Sequence, residues 1–148
     1  MTEPEKYSRP DMNAWNRQIM EEFHAQGGKV GGPFEGVPRL LLTTTRARSG
    51  KRRTSPVGYM PDGDRLIIFG TRGGLPTNPD WYYNLVAHPE VTVEVGTETF
   101  DVTTVVLTTG EERDQLYARQ VEHAPVFAEY QARTTRKIPV IALHRRQG

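Results

Sequence analysis

Short apolar stretches recur along most of the chain, and several of them alternate with polar residues at the two-residue period of a β-strand. β-Branched and aromatic residues are frequent in these stretches, and glycine, proline or charged residues bound them. Six stretches are therefore predicted to be strands: 39–45, 55–60, 65–71, 90–95, 99–107 and 138–144.

The connections between these strands predict how they pair. A Pro-Asp-Gly-Asp turn at 61–64 joins the second strand to the third, and Gly96 separates the fourth from the fifth. The repeated β-α-β order of a doubly wound parallel sheet is missing. We therefore predict an α+β fold, mainly β: a barrel of about six mostly antiparallel strands with helices outside it.

The first helix is predicted over residues 11–26, where apolar residues recur at steps of three and four. Its apolar face carries Met12, Trp15, Ile19 and Phe23. The opposite face carries charges of both signs, which favours packing against the protein's own body; peripheral membrane contact through 11–26 is the alternative.

Two more helices are predicted later in the chain. An Asn-Pro pair at 78–79 begins one of them. A capping box over 109–112 begins the other, which is broken at Pro125 and ends near Arg133. Together the elements predict a single domain, 1–148, with a loose arm at 1–10 and a cofactor-binding body at 38–144.

Composition limits the class of protein. A net charge of +1 and a charged fraction of 25% describe a globular protein and argue against a nucleic-acid binder. The absence of cysteine excludes thiolate metal sites and disulfides. No apolar run approaches the roughly 20 residues that span a bilayer. We therefore predict a cytoplasmic protein without a transmembrane segment.

A basic loop between the first two strands is the densest chemical signal. Five cations lie around Ser49 and Gly50: Arg46, Arg48, Lys51, Arg52 and Arg53. Guanidinium groups, hydroxyls and backbone N–H groups together suit phosphate or several carboxylates. A solvated charged turn is the alternative interpretation.

A second signal follows the third strand, where Arg72 precedes Gly73 and Gly74 and the next helix begins with Trp81-Tyr82-Tyr83. The two glycines are expected to let a flat, acidic ligand approach the main chain closely. Core packing of Trp81 is an equally good interpretation. The histidines lie far apart in sequence, and no metal site is predicted: His24, His88, His123 and His144.

In combination, three stretches resemble the deazaflavin (coenzyme F420)-dependent nitroreductase and quinone reductase family. They are LLTTTRARSGKRRTSPVGYM, GTRGGLPTNPDWYYNLVAHPEVTVEV and YQARTTRKIPVIAL, and the resemblance covers about residues 35–142. It implies a split β-barrel similar to those that bind FMN, with coenzyme F420 as cofactor. The implied activity is hydride transfer from reduced deazaflavin to an electron-poor quinone-like or nitro compound.

The resemblance also implies a set of cofactor-binding residues, by position: Arg48, Ser49, Arg53, Thr54, Ser55, Pro56, Val57, Gly58, Gly70, Thr71, Arg72, Gly73, Asp80, Trp81, Tyr82 and Asn84. The basic loop would meet the phosphodiester and glutamates of the cofactor tail, and the edge at 56–58 would lie beside its ring.

A substrate pocket is implied near Tyr59, Phe127 and Tyr130. Other members present tyrosines here, whereas this chain has Ala124 and Phe127, so a more apolar pocket is expected, less suited to bulky nitroimidazoles. Core packing of Phe127 is the alternative. Hydroxyls of Ser55, Tyr59 and Tyr130 are candidate hydrogen-bond donors to the acceptor.

Two other functions fit the same residues. The chain could bind deazaflavin as a carrier without turnover, or it could be an FMN or haem barrel. A small-molecule electron acceptor is the expected partner, and both a monomer and a homodimer fit the sequence.

Overall fold

The computed structural model of the protein describes residues 38–146 and, before them, residues 17, 18, 20, 21, 23 and 24. Within 38–146, six antiparallel strands close into a barrel in the order β1-β2-β3-β6-β5-β4. The strands are β1 (Arg39–Thr45), β2 (Arg52–Asp62), β3 (Arg65–Phe69), β4 (Glu90–Val95), β5 (Glu98–Leu107) and β6 (Val140–Arg145). The helices are α1 (Asp80–Ala87), α2 (Glu111–His123) and α3 (Val126–Ala132). The predicted mainly antiparallel barrel is confirmed.

Strand pairing sets the position of the basic loop. β2 begins at Arg52, three residues before the predicted strand, because Arg52 and Arg53 pair with the end of β1 at Thr45 and Thr44. Two of the five cations therefore lie on a strand, and the connecting loop is short. The barrel closes where β6 pairs with both β3 and β5.

Two hydrophobic cores lie on opposite faces of the sheet. Inward-facing side chains of the strands and Leu85 of α1 form the inner core: Leu40, Leu42, Val57, Ile68, Leu85, Val91, Val93, Val102, Ile141 and Leu143. Outward-facing residues of β2, β3 and β6 pack beneath α2 and α3 as the outer core: Met60, Ile67, Phe69, Leu116, Tyr117, Ala124, Phe127, Ile138, Val140 and Ala142. The period-2 alternation of the strands separates the two sets.

The predicted boundaries of the two later helices hold with one correction. α2 and α3 are interrupted around Pro125, as expected. The predicted capping box is wrong, because Gly110 is the N-cap of α2 with φ +104° and no side-chain capping bond forms there. Glycine has no side chain that could cap the helix. The first turn of α2 carries acidic residues, among them Glu111 and Glu112, which interact favourably with the positive end of the helix.

The N-terminal segment is helical at each of its six described positions. Phe23 is 1% exposed, and His24 Nε2 lies 3.0 Å from Glu94 Oε1 on β4. This part of the segment therefore packs against the barrel, whereas the predicted arm at 1–10 and Met12, Trp15 and Ile19 lie outside the described residues. No helix among the described residues is long and apolar enough to cross a membrane.

Gly74 permits a helix, not a ligand, to approach the chain. It has φ +84°, and a Cβ at this position would lie 2.7 Å from the carbonyl oxygen of Tyr130 and 2.9 Å from Arg133 Cβ. The expected role of Gly74 in ligand approach is thus corrected. Gly73 also has a left-handed backbone, φ +64°, but apart from its chain neighbours no heavy atom of the described residues lies within 4 Å of a Cβ there.

We predict that Gly74→Ala destabilises the fold much more than Gly73→Ala. In both variants the left-handed backbone of the alanine lowers the free energy of unfolding by about 1–2 kcal/mol. Only Gly74→Ala also forces packed atoms apart, at a further cost of about 1–3 kcal/mol. Urea unfolding of the two variants measures the difference, and equal losses would show that contact with α3 does not constrain Gly74.

A pH-dependent contribution to stability comes from Asp62 at the end of β2. It accepts hydrogen bonds from Arg119 and Arg65, each at 2.8 Å, and these bonds lower the pKa of the Asp62 carboxyl. A carboxyl with a lower pKa in the folded state stabilises the fold above its unfolded pKa, and this stabilisation is lost as the pH falls through the folded pKa.

We predict that Asp62→Asn lowers the free energy of unfolding near neutral pH by no more than about 1 kcal/mol, the range of exposed ion pairs. The difference from the unsubstituted protein should shrink as the pH falls below about 4. Urea unfolding across pH measures it, with Asp64→Asn in the adjacent turn as control. A difference that persists at low pH would contradict this account.

Candidate functional site

The basic loop is a tight connection from Arg46 to Lys51. Arg46 N–H donates to Lys51 O at 2.8 Å, and Gly50 N–H donates to Arg46 O at 3.1 Å. The Ser49 hydroxyl accepts from Lys51 N–H at 3.2 Å. Because these bonds fix the backbone from within, the side chains of Arg48 and its neighbours extend from a rigid base.

Asn84 joins the basic loop to α1. Its Oδ1 accepts from Ala47 N–H at 3.2 Å, and its Nδ2 donates to Thr44 Oγ1 at 3.1 Å. The side chain is buried, so the two bonds satisfy polar groups that water does not reach freely. Asn84 was expected to contact the cofactor, and the structure gives it this structural role.

A pocket of about 210 Å³ lies where the loop and α1 meet, and we call it the small pocket. Its lining is Arg46, Ala47, Arg48, Ser49, Arg53, Asp80, Tyr83 and Asn84. Three arginines and one aspartate are among these residues, so the charge of the lining is positive on balance and the small pocket favours an anion. Five residues predicted from sequence come together in this lining: Arg48, Ser49, Arg53, Asp80 and Asn84.

A second pocket, of about 580 Å³, shares Arg46 and Arg53 with the first, and we call it the large pocket. Among the described residues, its lining is Arg17, Met20, Arg46, Lys51, Arg52, Arg53 and Thr54. Five of these seven residues are cationic and none is acidic, although the chain as a whole carries a net charge of only +1. The large pocket is therefore a local concentration of positive charge next to the small pocket.

The turn after β3 contains an unusual backbone. Arg72 has φ +45°, a left-handed conformation that costs a non-glycine residue about 1 kcal/mol or more. Its guanidinium is exposed and donates to the neutral Thr77 hydroxyl. Gly70 is buried and packs on Pro139, since a Cβ there would lie 2.8 Å from Pro139 Cγ. Of the predicted turn residues, Arg72 and Gly73 are the exposed ones, and Thr71 is half-buried.

Comparison with known proteins identifies the family. Residues 15–145 match the protein family described as F420H(2)-dependent quinone reductase. The chain belongs to this family. An F420H(2)-dependent quinone reductase of Mycobacterium tuberculosis is 38% identical over 130 residues, which are 84% of this chain and 85% of the relative.

Solved structures agree with the quinone reductase family. A structure described as an F420-H2 dependent reductase is 39% identical with a TM-score of 0.66, covering 72% of this chain and 94% of its own. Another, described as a domain-swapped dimer, is 35% identical with a TM-score of 0.68, covering 89% of this chain and 98% of its own. The predicted family, with its split barrel and its F420-dependent reductase activity, is confirmed.

The predicted strand edge of this quinone reductase family member lies on β2. Thr54 Oγ1 is 2.8 Å from Thr43 Oγ1, and Ser55, Pro56 and Gly58 are half-buried. Val57 is 5% exposed and belongs to the inner core, so a ligand beside this edge would meet its backbone and not its side chain.

The aromatic residues of α1 divide between core and surface. Trp81 and Tyr82 are half-buried and pack against the inner core, in agreement with the packing interpretation of Trp81. Tyr83 is 49% exposed, lines the small pocket and stacks edge-on with Tyr82 at 5.5 Å. Tyr83 is not among the cofactor-binding residues predicted from the sequence. Its position directly before Asn84 on a short helix was the feature that could have indicated it.

The three predicted substrate residues pack against different cores. Tyr59 is half-buried against the inner core, and burial raises its pKa above the ordinary value. Phe127 is 8% exposed in the outer core, with its ring 5.5 Å from Phe69 and 5.3 Å from Tyr130. The structure therefore gives Phe127 the packing role that was its alternative, while Tyr130 is half-buried beside it.

We predict that Asn84→Ala frees the basic loop from α1 and destabilises the fold by about 1–3 kcal/mol, since buried polar partners lose their bonds. Hydrogen exchange of the Ala47 amide should accelerate in this variant. Thr44→Val is the matched control, because it removes one bond of Asn84 and keeps the bond to Ala47. If the Ala47 amide stays protected from exchange in Asn84→Ala, then Asn84 does not hold the basic loop to α1.

Proposed function

We propose that this chain reduces a quinone-like acceptor with reduced coenzyme F420, and that the small and large pockets hold the anionic tail of the cofactor. The observation that carries the proposal is the convergence of the basic loop with the start of α1 around two adjoining cationic pockets. Family membership supplies the class of cofactor, and these pockets supply a surface of matching charge.

The residues present fit the tail of the cofactor. A phosphodiester and glutamate carboxylates are acceptors for guanidinium groups, which bind such anions through paired N–H groups. Arg46 and Arg53 line both pockets, so one extended anion that crosses from one pocket to the other would meet both side chains. The other cations of the large pocket then suit the carboxylates at its distal end.

The ring of the cofactor is assigned to the side of β2 near 56–58, on the resemblance of this strand to other family members. When bound, reduced deazaflavin supplies a hydride to an electron-poor acceptor. The chain's own task is to orient the two reactants and to exclude water. The Tyr59 hydroxyl is protonated at neutral pH with or without the burial that raises its pKa, so it can donate a hydrogen bond to an acceptor oxygen.

The acceptor is proposed to be a quinone, in keeping with the family, and a nitro compound is the second candidate. A homodimer is proposed on the strength of the relative described as a domain-swapped dimer, with a monomer as the alternative. A cytoplasmic location and peripheral membrane contact through residues 11–26 remain predictions from the sequence.

We predict that the chain binds oxidised F420 with micromolar or tighter affinity, measured by fluorescence titration. Arg46→Ala combined with Arg53→Ala should weaken binding about 100-fold or more, because each of the two lost charge-assisted bonds costs roughly 1.5 kcal/mol. The control is Arg119→Ala with Arg145→Ala, which removes the same charge from exposed ion pairs on Asp62 and Glu98.

Equal weakening in both double variants would show that only net charge matters and would refute the assigned pockets. A parallel titration with flavin mononucleotide tests the cofactor class, and tighter binding of that flavin would overturn the proposal. Turnover with menadione as the quinone probe separates an enzyme from a carrier, since a carrier would bind F420 without consuming its reduced form.

A further inference from the structure

Arg136 joins the segment before β6 to the turn after β3. Its guanidinium donates four hydrogen bonds to acceptors between Gly70 and Asn78. The acceptors are Gly70 O at 3.0 Å, Thr71 O at 2.8 Å, Leu75 O at 3.0 Å and Asn78 Oδ1 at 2.6 Å. One planar fork therefore fixes both ends of this turn, which a lysine with a single point charge could not do.

A second arginine supports Arg136 from behind. The buried Arg113 donates to Gln131 Oε1 at 2.7 Å, and Gln131 Nε2 donates to the backbone oxygen of Arg136 at 2.8 Å. Gln131 Oε1 also accepts from Ile138 N–H at 3.1 Å. These bonds set the backbone of Arg136 relative to α2 and α3, so the guanidinium is delivered from a rigid support.

The turn that Arg136 holds contains Arg72 in its left-handed conformation. Among the described residues, no carboxylate lies within ion-pair distance of Arg72, whose guanidinium bonds to the Thr77 hydroxyl. The same turn leads directly into α1, because Asn78 and Pro79 precede Asp80, and Asp80 and Tyr83 line the small pocket. By fixing this turn, Arg136 therefore influences the position of Arg72 and also that of the start of α1, which lines the small pocket.

We propose that Arg136 is a positioning residue for cofactor binding: its fork holds the turn at 70–78 so that Arg72 presents its guanidinium to the bound anionic cofactor. The inference rests on the proposed function, because it requires the anionic cofactor to bind this chain within reach of Arg72, a contact that the family resemblance implies by position. The N–H groups of Arg136 donate to acceptors within the protein, so Arg136 itself does not contact the ligand.

The electrostatics of the pair agree with this division of roles. Burial is the main cause that lowers the pKa of Arg136; Tyr83 raises this pKa, the nearby positive charge of Arg72 lowers it by less, and Tyr117 raises it slightly. Two like charges are therefore held near each other in a fixed geometry. An anion bound by Arg72 would offset this repulsion.

The test compares Arg136→Lys with Arg65→Lys, a control that also loses a fork with two partners, Asp62 and Glu112, far from the turn. Titration with F420 should show about ten-fold weaker binding for Arg136→Lys and a change below two-fold for Arg65→Lys. Arg72→Ala should also weaken binding, and the double variant with Arg136→Lys should lose less than the product of the two single losses.

Hydrogen exchange in the cofactor-free protein gives an independent readout. The amides of Gly74 and Leu75, which donate within the turn, should exchange faster in Arg136→Lys and at an unchanged rate in Arg65→Lys. Unchanged exchange would refute the clamp. Faster exchange with unchanged F420 affinity, or fully multiplicative losses in the double variant, would refute action through Arg72.

Failure of the proposed function gives a different result. If the unsubstituted protein does not bind F420, the proposed function is refuted, and with it the role of Arg136 in cofactor binding. The exchange measurement then still decides whether Arg136 clamps the turn, so the two failures are distinguishable.

Discussion

Closure of the six-stranded barrel is the constraint on which the rest of the structure depends. Once β6 pairs with both β3 and β5, the inward side chains must fill the interior, and large aliphatic residues do so. Polar and charged side chains that could bind a ligand therefore lie in the connections between strands and on the outside of the sheet. Both pockets that favour anions lie at the β1–β2 connection, where backbone groups leave the ladder and charged side chains reach solvent.

Two polar side chains convert these connections into a site. Asn84 ties the basic loop to α1, and Arg136 ties the turn at 70–78 to the segment before β6. Each of them bonds to one side chain and to at least one backbone group, and the backbone groups do not depend on the identity of the surface residues. The surface can therefore carry a high density of charge without losing its shape, and that combination suits recognition of a fixed, highly anionic cofactor.

The concentration of cations costs stability when nothing is bound, because like charges in neighbouring positions repel. Elsewhere among the described residues, arginines lie in ion pairs with carboxylates, such as Arg65 and Arg119 with Asp62. The unequal distribution explains how a protein with a net charge of +1 can offer a pocket with five cationic lining residues. A bound anion would reduce this repulsion, and the reduction would contribute to its affinity.

The sequence by itself determined the strands, their hairpin pairing and the family, because period-2 alternation and short turns are local signals and the quoted stretches are specific in combination. It also singled out the basic loop and the start of α1. Only the tertiary structure decided that Gly74 meets α3, that Phe127 belongs to the outer core, and that Arg17 reaches the large pocket. The clamp of Arg136 on Gly70 spans 66 residues of sequence, and no local pattern reports a contact that exists only after the barrel has closed.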